Sequence, residues 1–204
     1  MMDKIRVLLA EDQGMVRGAL AALLSLEEDF EVVAEVSRGD AVVPATLKSH
    51  PDVALLDIEM PGGDGLSAAR DLREKLPSCR IVILTTFGRS GYLRQAMESG
   101  AVGFLLKDAP ATELAAAIRR VMAGERVVDP DLALSALSDG RNPLTRRERE
   151  VLRASLDGAS IADIAAQFYL SERTVRNHLS TAIQKLGTHN RTEAARLAEG
   201  KGWL

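Results

Sequence analysis

Val53-Ala54-Leu55-Leu56-Asp57-Ile58-Glu59-Met60-Pro61-Gly62-Gly63 is a short apolar run that ends in a carboxylate and then turns. Four apolar residues bounded by turn signals read as a buried strand, and the Pro-Gly-Gly that follows leaves Asp57 at its open end. Three other runs repeat the pattern: Ile5–Ala10 leads into Glu11-Asp12, Ile81–Leu84 into Thr85, and Gly103–Leu106 into Lys107. A further strand signal lies near 31–36, and helical patterns fall near 14–27, 39–49, 65–75, 90–99 and 112–123. Thr112 is the expected cap of the last of these helices and Gly124 its stop. The alternation predicts an α/β domain with a five-stranded, doubly wound parallel sheet.

In such a sheet the carboxyl ends of the strands share one edge, where ligands bind. Three carboxylates, a hydroxyl and an ammonium should therefore meet there, a set suited to a divalent cation beside an anionic group. An ionised Asp57 can attack phosphorus and form an acyl phosphate, provided the repulsion between two anions is neutralised. Mg²⁺ does this with few protein ligands. Asp12 and Asp57 fit as direct ligands, Glu11 as a second carboxylate acting directly or through water, and the Glu59 backbone carbonyl as a further oxygen. Lys107 would pair with one phosphoryl oxygen as a point charge, and the Thr85 hydroxyl would donate to another. A single strand-end Asp or Lys is ordinarily a solvated loop residue; the specificity lies in the set.

Composition narrows the classes. The 204 residues fit two modest domains, and 46% hydrophobic content is ordinary for a packed core. The lone cysteine, Cys79, rules out an intrachain disulfide and suits a reducing compartment. No apolar stretch approaches the roughly 20 residues that span a bilayer. The first residues lack a basic segment leading into an apolar core. The expectation is a cytoplasmic protein with no membrane contact. His50, His178 and His189 are scattered without ligand-like spacing, which argues against a zinc site. Charge is divided unevenly: residues 1–140 carry 15 basic and 22 acidic side chains, residues 141–204 carry 11 basic and 7 acidic. A basic tail points to nucleic acid.

That tail reads as helical throughout. Thr145 followed by Glu148 has capping-box spacing. A break at Gly158-Ala159-Ser160 precedes Ile161–Ala165, and a second at Tyr169-Leu170-Ser171 precedes Glu172–Leu186. Two short helices joined by a tight turn, the second capped by Ser171, form a helix-turn-helix pattern. At 100° per residue, Val175, Leu179, Ala182, Ile183 and Leu186 share one face of the second helix. Arg173, Asn177, Ser180, Thr181 and Gln184 lie opposite, with Arg176 and His178 on the flanks. Arg and Asn suit bidentate readout of guanine and adenine edges.

The first 126 residues resemble a receiver domain of bacterial two-component signalling. The match rests on Glu11-Asp12, Asp57-Ile58-Glu59-Met60-Pro61-Gly62, Thr85-Thr86 and Lys107. The resemblance implies a flavodoxin-like fold, Asp57 as phosphoacceptor, Glu11 and Asp12 as the acidic Mg²⁺ pair, Thr85 as switch residue and Phe104 as the switch aromatic whose ring turns inward. Residues 143–204 resemble the LuxR-type helix-turn-helix domain, so the whole is similar to the NarL/FixJ response regulators, with 127–142 as linker. Leu144-Thr145, Arg147-Glu148, Glu150-Val151-Leu152, Gly158, Ile164-Ala165, Leu170-Ser171, Thr174-Val175-Arg176 with His178, Ile183, Lys185-Leu186 and Arg191 with Glu193-Ala194 carry that match. It implies DNA contacts on Arg176, Asn177 and Ser180 with Lys185 and Arg191 nearby; helix geometry adds Arg173 and Thr181, and Thr174 of the matched run completes the set. Ile161-Ala162 stand where the family usually has polar or basic residues, so one phosphate contact is expected to differ.

The family implies a partner histidine kinase, double-stranded promoter DNA, a homodimer formed on phosphorylation, and no chemistry beyond phosphoryl transfer and hydrolysis at Asp57 itself. Thr85-Thr86-Phe87, Lys107-Asp108, Thr174-Val175-Arg176-Asn177 and Lys201-Gly202-Trp203 further resemble regulators of membrane-lipid desaturase and envelope-stress responses. Two readings compete. Asp57-Ile58-Glu59 is similar to the paired acids of haloacid-dehalogenase-like phosphotransferases, but that leaves the helix-turn-helix unexplained. DNA binding independent of phosphorylation would leave the complete acidic set unexplained.

Overall fold

The structure is a computed structural model and describes residues 4–86, 88–138, 142–156 and 158–204. Phe87 of the desaturase-regulator resemblance and Asp139-Gly140-Arg141 of the expected linker lie outside the described residues. The chain divides into two compact units, one built on a sheet and one helical, the second comprising the chain from Leu134 onward together with Arg89–Tyr92.

In the first unit β1 (Ile5–Ala10), β2 (Phe30–Val36), β3 (Val53–Leu56), β4 (Arg80–Thr85), β5 (Gly103–Leu106) and β6 (Val127–Val128) form one sheet in the order β2-β1-β3-β4-β5-β6. Every pairing is parallel. The helices between them are α1 (Gly14–Ser25), α2 (Gly39–Ser49), α3 (Gly65–Lys75), α4 (Ser90–Glu98) and α5 (Ala111–Met122). The apolar runs are unbroken because both sheet faces are covered. Val7, Leu9, Val53, Leu55 and Val82 join Leu24 of α1 with Leu114, Ile118 and Val121 of α5 in one cluster. Their alternates Leu8, Ala10, Ala54, Leu56, Ile81 and Ile83 point to the other face and are equally buried.

Two expectations need correction. The sheet has six strands, because the first two residues assigned to the linker pair with β5 through Gly103–Val127 and Phe104–Val128. Gly124, at φ +91, turns the chain back after α5, and the Val127 N–H donates to the Val102 carbonyl. Two residues are too few for a periodicity signal. Thr112 does not cap α5; it is the helix's second residue, after Pro110 at φ −55 and Ala111.

After α6 (Pro130–Ser138), the second unit packs α7 (Arg146–Ala154), α8 (Ile161–Gln167), α9 (Glu172–Leu186) and α10 (Arg191–Gly200). Each of the four starts on a side-chain cap. Thr145 with Glu148 and Ser160 with Asp163 form capping boxes, while Ser171 and Asn190 accept from the Thr174 and Glu193 amides. Val151, Leu152, Ile164, Val175, Leu179, Ala182 and Trp203 share the core.

Candidate functional site

Strands β1, β3, β4 and β5 end together, so the residues just past them meet. Register forces this: Ala10 pairs with Leu56, and the Asp57 N–H donates to the Ala10 carbonyl at 2.9 Å. On the far side the Lys107 N–H donates to the Thr85 carbonyl at 2.9 Å. Lys107 Nζ lies 2.6 Å from Glu11 Oε2 and 2.9 Å from Asp57 Oδ2. Glu11, Asp57 and Thr85 are buried, while Asp12 is exposed at the rim. Glu11, Asp12 and Asp57 each present a carboxylate oxygen within 4.8 Å of the other two. Phe104 is wholly buried, its ring already inward, and Glu59 is exposed in the loop that follows Asp57.

Charge is unbalanced in this pocket. Three carboxylates face one ammonium, so an added cation has uncompensated anions to bind. Burial pushes the Asp57 carboxyl above its ordinary value, and the hydrogen bond from Lys107 only partly pulls it back. For Lys107 burial favours the neutral amine, but Glu11 and Asp57 outweigh it, and the ammonium is held above its ordinary value. Asp57 also accepts from the Ile58 N–H at 2.8 Å, which fixes its rotamer at the strand end.

Three residues that position this edge were not singled out from the sequence. Arg17 of α1 donates to the Glu11 carbonyl at 2.7 Å and holds the turn carrying the acidic pair. Gly65 donates to the Ile58 carbonyl at 3.0 Å, and a Cβ there would lie 2.0 Å from the Asp57 carbonyl oxygen. At Gly39 a Cβ would lie 1.8 Å from the Gly63 carbonyl oxygen. Glycine there serves close backbone approach, for which sequence carries no separate signal. Gly65→Ala must displace the Asp57 backbone. Misplacement by about 1 Å costs on the order of 10²-fold in a positioned reaction; stopped-flow phosphorylation by acetyl phosphate checks this.

In the helical unit, Val175, Leu179 and Ala182 of α9 are buried, and Arg173, Arg176, Asn177, Ser180 and Thr181 are exposed. The Arg176 guanidinium meets Glu172 at 2.8 Å, a pair that solvent screens. Thr174 is half-buried, with Oγ1 2.8 Å from Ser171 Oγ, and contributes to the cap. Two further members of the expected DNA set are tied to other helices or loops of the unit. Lys185 Nζ bonds both oxygens of buried Glu148 at 2.9 and 2.8 Å, and Arg191 donates to the Ala159 carbonyl at 3.3 Å. Lys185 thus pins α9 to α7. Helix periodicity could not show this, since the partner lies 37 residues away.

Comparison with known proteins follows this division. The response regulator receiver domain family matches residues 7–119, and the luxR family of bacterial regulatory proteins matches residues 142–198. An uncharacterized transcriptional regulatory protein of Bacillus subtilis, YvfU, is 48% identical over 98% of this chain and 100% of its own length. Transcriptional regulatory protein DesR of the same organism is 46% identical over 98% of the chain and 99% of its own. The crystal structure of the response regulator ChrA of a heme-sensing two-component system is 35% identical over all of both chains, with TM-score 0.59. The response regulator RcsB in complex with DNA is 25% identical over 97% of this chain and 99% of its own, with TM-score 0.66.

Proposed function

The chain belongs to the bacterial response regulators that join a receiver domain to a luxR-type DNA-binding domain, and we propose that a phosphoryl group on Asp57 sets its DNA-binding state. It is a transcriptional regulator; the proposal concerns what operates it. One observation carries it. Asp57 is buried against Glu11 and Lys107, with Asp12 at the rim, in the same chain as an exposed polar face on α9.

A carboxylate oxygen of Asp57 attacks the phosphorus of a phosphohistidine on a partner kinase. The P–N bond breaks, its electron pair returns to the imidazole, and an acyl phosphate is left on Asp57. Glu11, Asp12 and Asp57 fit a divalent cation, and the Glu59 carbonyl is a further candidate ligand. Mg²⁺, when bound there, screens the repulsion between carboxylate and phosphoryl oxygens. Lys107, held in the pocket by two carboxylates, pairs with a phosphoryl oxygen. The Thr85 hydroxyl donates to another, and Phe104, on the neighbouring strand β5 opposite Ile83, is the packing element that reads the change. Hydrolysis of the acyl phosphate at the same residue resets the switch.

A homodimer formed on phosphorylation would present two copies of α9 to adjacent half-sites of a promoter. Arg173, Arg176, Asn177, Ser180 and Thr181 reach the DNA, Thr174 shapes the cap, and Lys185 and Arg191 hold the helices while lending positive charge. The domain limits we assign are 1–126, 127–142 and 143–204, the linker's first two residues being part of the sheet. No described helix is long and apolar enough to cross a membrane, and we assign the protein to the cytoplasm. Thr85-Thr86, Lys107-Asp108, Thr174-Val175-Arg176-Asn177 and Lys201-Gly202-Trp203 support placing it with regulators of membrane-lipid and envelope responses.

Genomic fragments selected on the full chain, with and without acetyl phosphate and Mg²⁺, test the switch and find its target together. The expected result is a discrete set of sites, bound about 10-fold more tightly by the treated protein. Affinity unchanged by treatment would make the receiver irrelevant to binding. Steady turnover of a small phosphate ester would favour the phosphotransferase reading.

A further inference from the structure

Among the described residues, five helices end in the same backbone motif. A residue at or just after the cap takes a left-handed conformation, its N–H bonds back three residues, and the next N–H bonds back five. In α4, α5, α9 and α10 that residue is Gly100, Gly124, Gly187 or Gly202, at φ +97, +91, +65 and +63. In α8 it is Tyr169, at φ +54, donating to the Ala166 carbonyl at 3.3 Å while Leu170 donates to Ala165 at 2.8 Å. Only glycine adopts this conformation without a steric cost to Cβ. The other left-handed non-glycine residue among those described is His50, and its carbonyl is held by the Arg6 side chain. Tyr169 has no such recompense within the fold. It is 97% exposed, so its ring packs on nothing.

A fully exposed aromatic in a strained turn costs stability that the fold does not need to spend, which points to a use outside the chain. Its place narrows that use. Tyr169 stands two residues before Ser171, the cap of α9, on the turn that leads into the helix carrying Arg173, Arg176 and Asn177. A phenol offers a hydroxyl donor on a rigid apolar body, and tyrosine is among the side chains that bond DNA phosphates to set a protein's register. Resting on the assignment of α9 to DNA, we propose that Tyr169 is a DNA-backbone contact: its hydroxyl donates to a phosphate oxygen flanking the bases that α9 reads.

The experiment uses the full chain treated with acetyl phosphate, a duplex selected from random sequence by the wild type, and an unrelated duplex of equal length. Tyr169→Phe keeps ring and backbone and removes only the hydroxyl; Tyr169→Gly removes the side chain and the strain. Both are expected to weaken binding about 10-fold on both duplexes, since a phosphate contact carries no base information. The dependence of affinity on salt should keep its slope, because a neutral phenol releases no counterion. Tyr169→Gly should also raise the melting temperature of the helical unit, followed by Trp203 fluorescence, by about 4–8 °C. Wild-type affinity in Tyr169→Phe would overturn the contact. So would unchanged DNA binding with lost transcriptional regulation, which would assign the ring to a protein partner. If Arg173→Ala and Asn177→Ala also left binding unchanged, the assignment of α9 itself would fall.

Discussion

Asp57→Asn is expected to abolish acid-labile phosphate incorporation from acetyl phosphate while leaving the receiver more stable than the wild type. Loss of labelling follows from losing the nucleophilic oxygen, and no neighbour replaces it. Glu11 is held by Lys107 and by the Gln13 amide, and Asp12 lies at the rim. The gain in stability follows from the sign of the Asp57 shift. Its carboxyl is raised by burial, so the folded receiver binds that proton more tightly than the unfolded chain. Stability from this group therefore falls as pH rises from the ordinary value of 3.8 through the raised folded value, and at neutral pH the ionised Asp57 is a net cost. Asn keeps the shape, leaves Lys107 paired with Glu11, and should add about 1 kcal/mol, typical when a site built for function is relieved. Mg²⁺ should stabilise the wild type by about 2.7 kcal/mol at a hundredfold excess over its Kd, and less in the variant. Calorimetry of both proteins with and without Mg²⁺ measures all three quantities. Phosphate incorporation in Asp57→Asn would reassign the acceptor.

Glu148→Ala should destabilise the helical unit by about 2–3 kcal/mol. The Glu148 side chain is buried and accepts from Lys185 at 2.9 and 2.8 Å and from the Thr145 N–H at 2.7 Å. Alanine leaves an ammonium without its partner and a helix start without its reciprocal cap. Breaking a buried pair costs roughly 3–5 kcal/mol, and Lys185, about a third exposed, recovers part of that by hydration. The pH dependence has the opposite sign to that of Asp57. Burial alone would raise the Glu148 carboxyl, but the bonds from Lys185 and Thr145 outweigh it and hold it below its ordinary value of 4.5. Its contribution is complete above that value and is lost as pH falls through the lowered one. The chain's single tryptophan, Trp203, sits in the helical core, so its fluorescence during urea unfolding reports this unit. Lys185→Met alone should cost less than Glu148→Ala, because it leaves Glu148 the Thr145 amide. Equal costs would mean that the pair, and not the cap, carries the whole effect.

Much of the site was legible because it depends on short-range pattern. An apolar run, a carboxylate and a Pro-Gly turn place Asp57 at a strand end, and three similar endings place Glu11-Asp12, Thr85 and Lys107 beside it. The outward face of α9 was legible for the same reason, since a fixed 100° step assigns each side chain to a face. Strand β6 was not, because its two residues form a strand only where β5 offers an open edge. Nor were the positioning roles of Arg17 and Gly65, which arise from contacts with the Glu11 and Asp57 carbonyls that no local spacing encodes.

By itself the sequence determined the two-part architecture, the strand ends that hold Asp57 and its neighbours, and the family the chain belongs to. These rest on periodicity and on residue types at fixed spacing, both properties of the local chain. Tertiary structure alone decided that Lys107 bridges Glu11 and Asp57, that burial raises Asp57, and that Lys185 is tied to Glu148. It also set Tyr169 in a left-handed turn with nothing packed against it. Such features depend on which distant residues share a volume and how much water reaches them, and packing alone settles that.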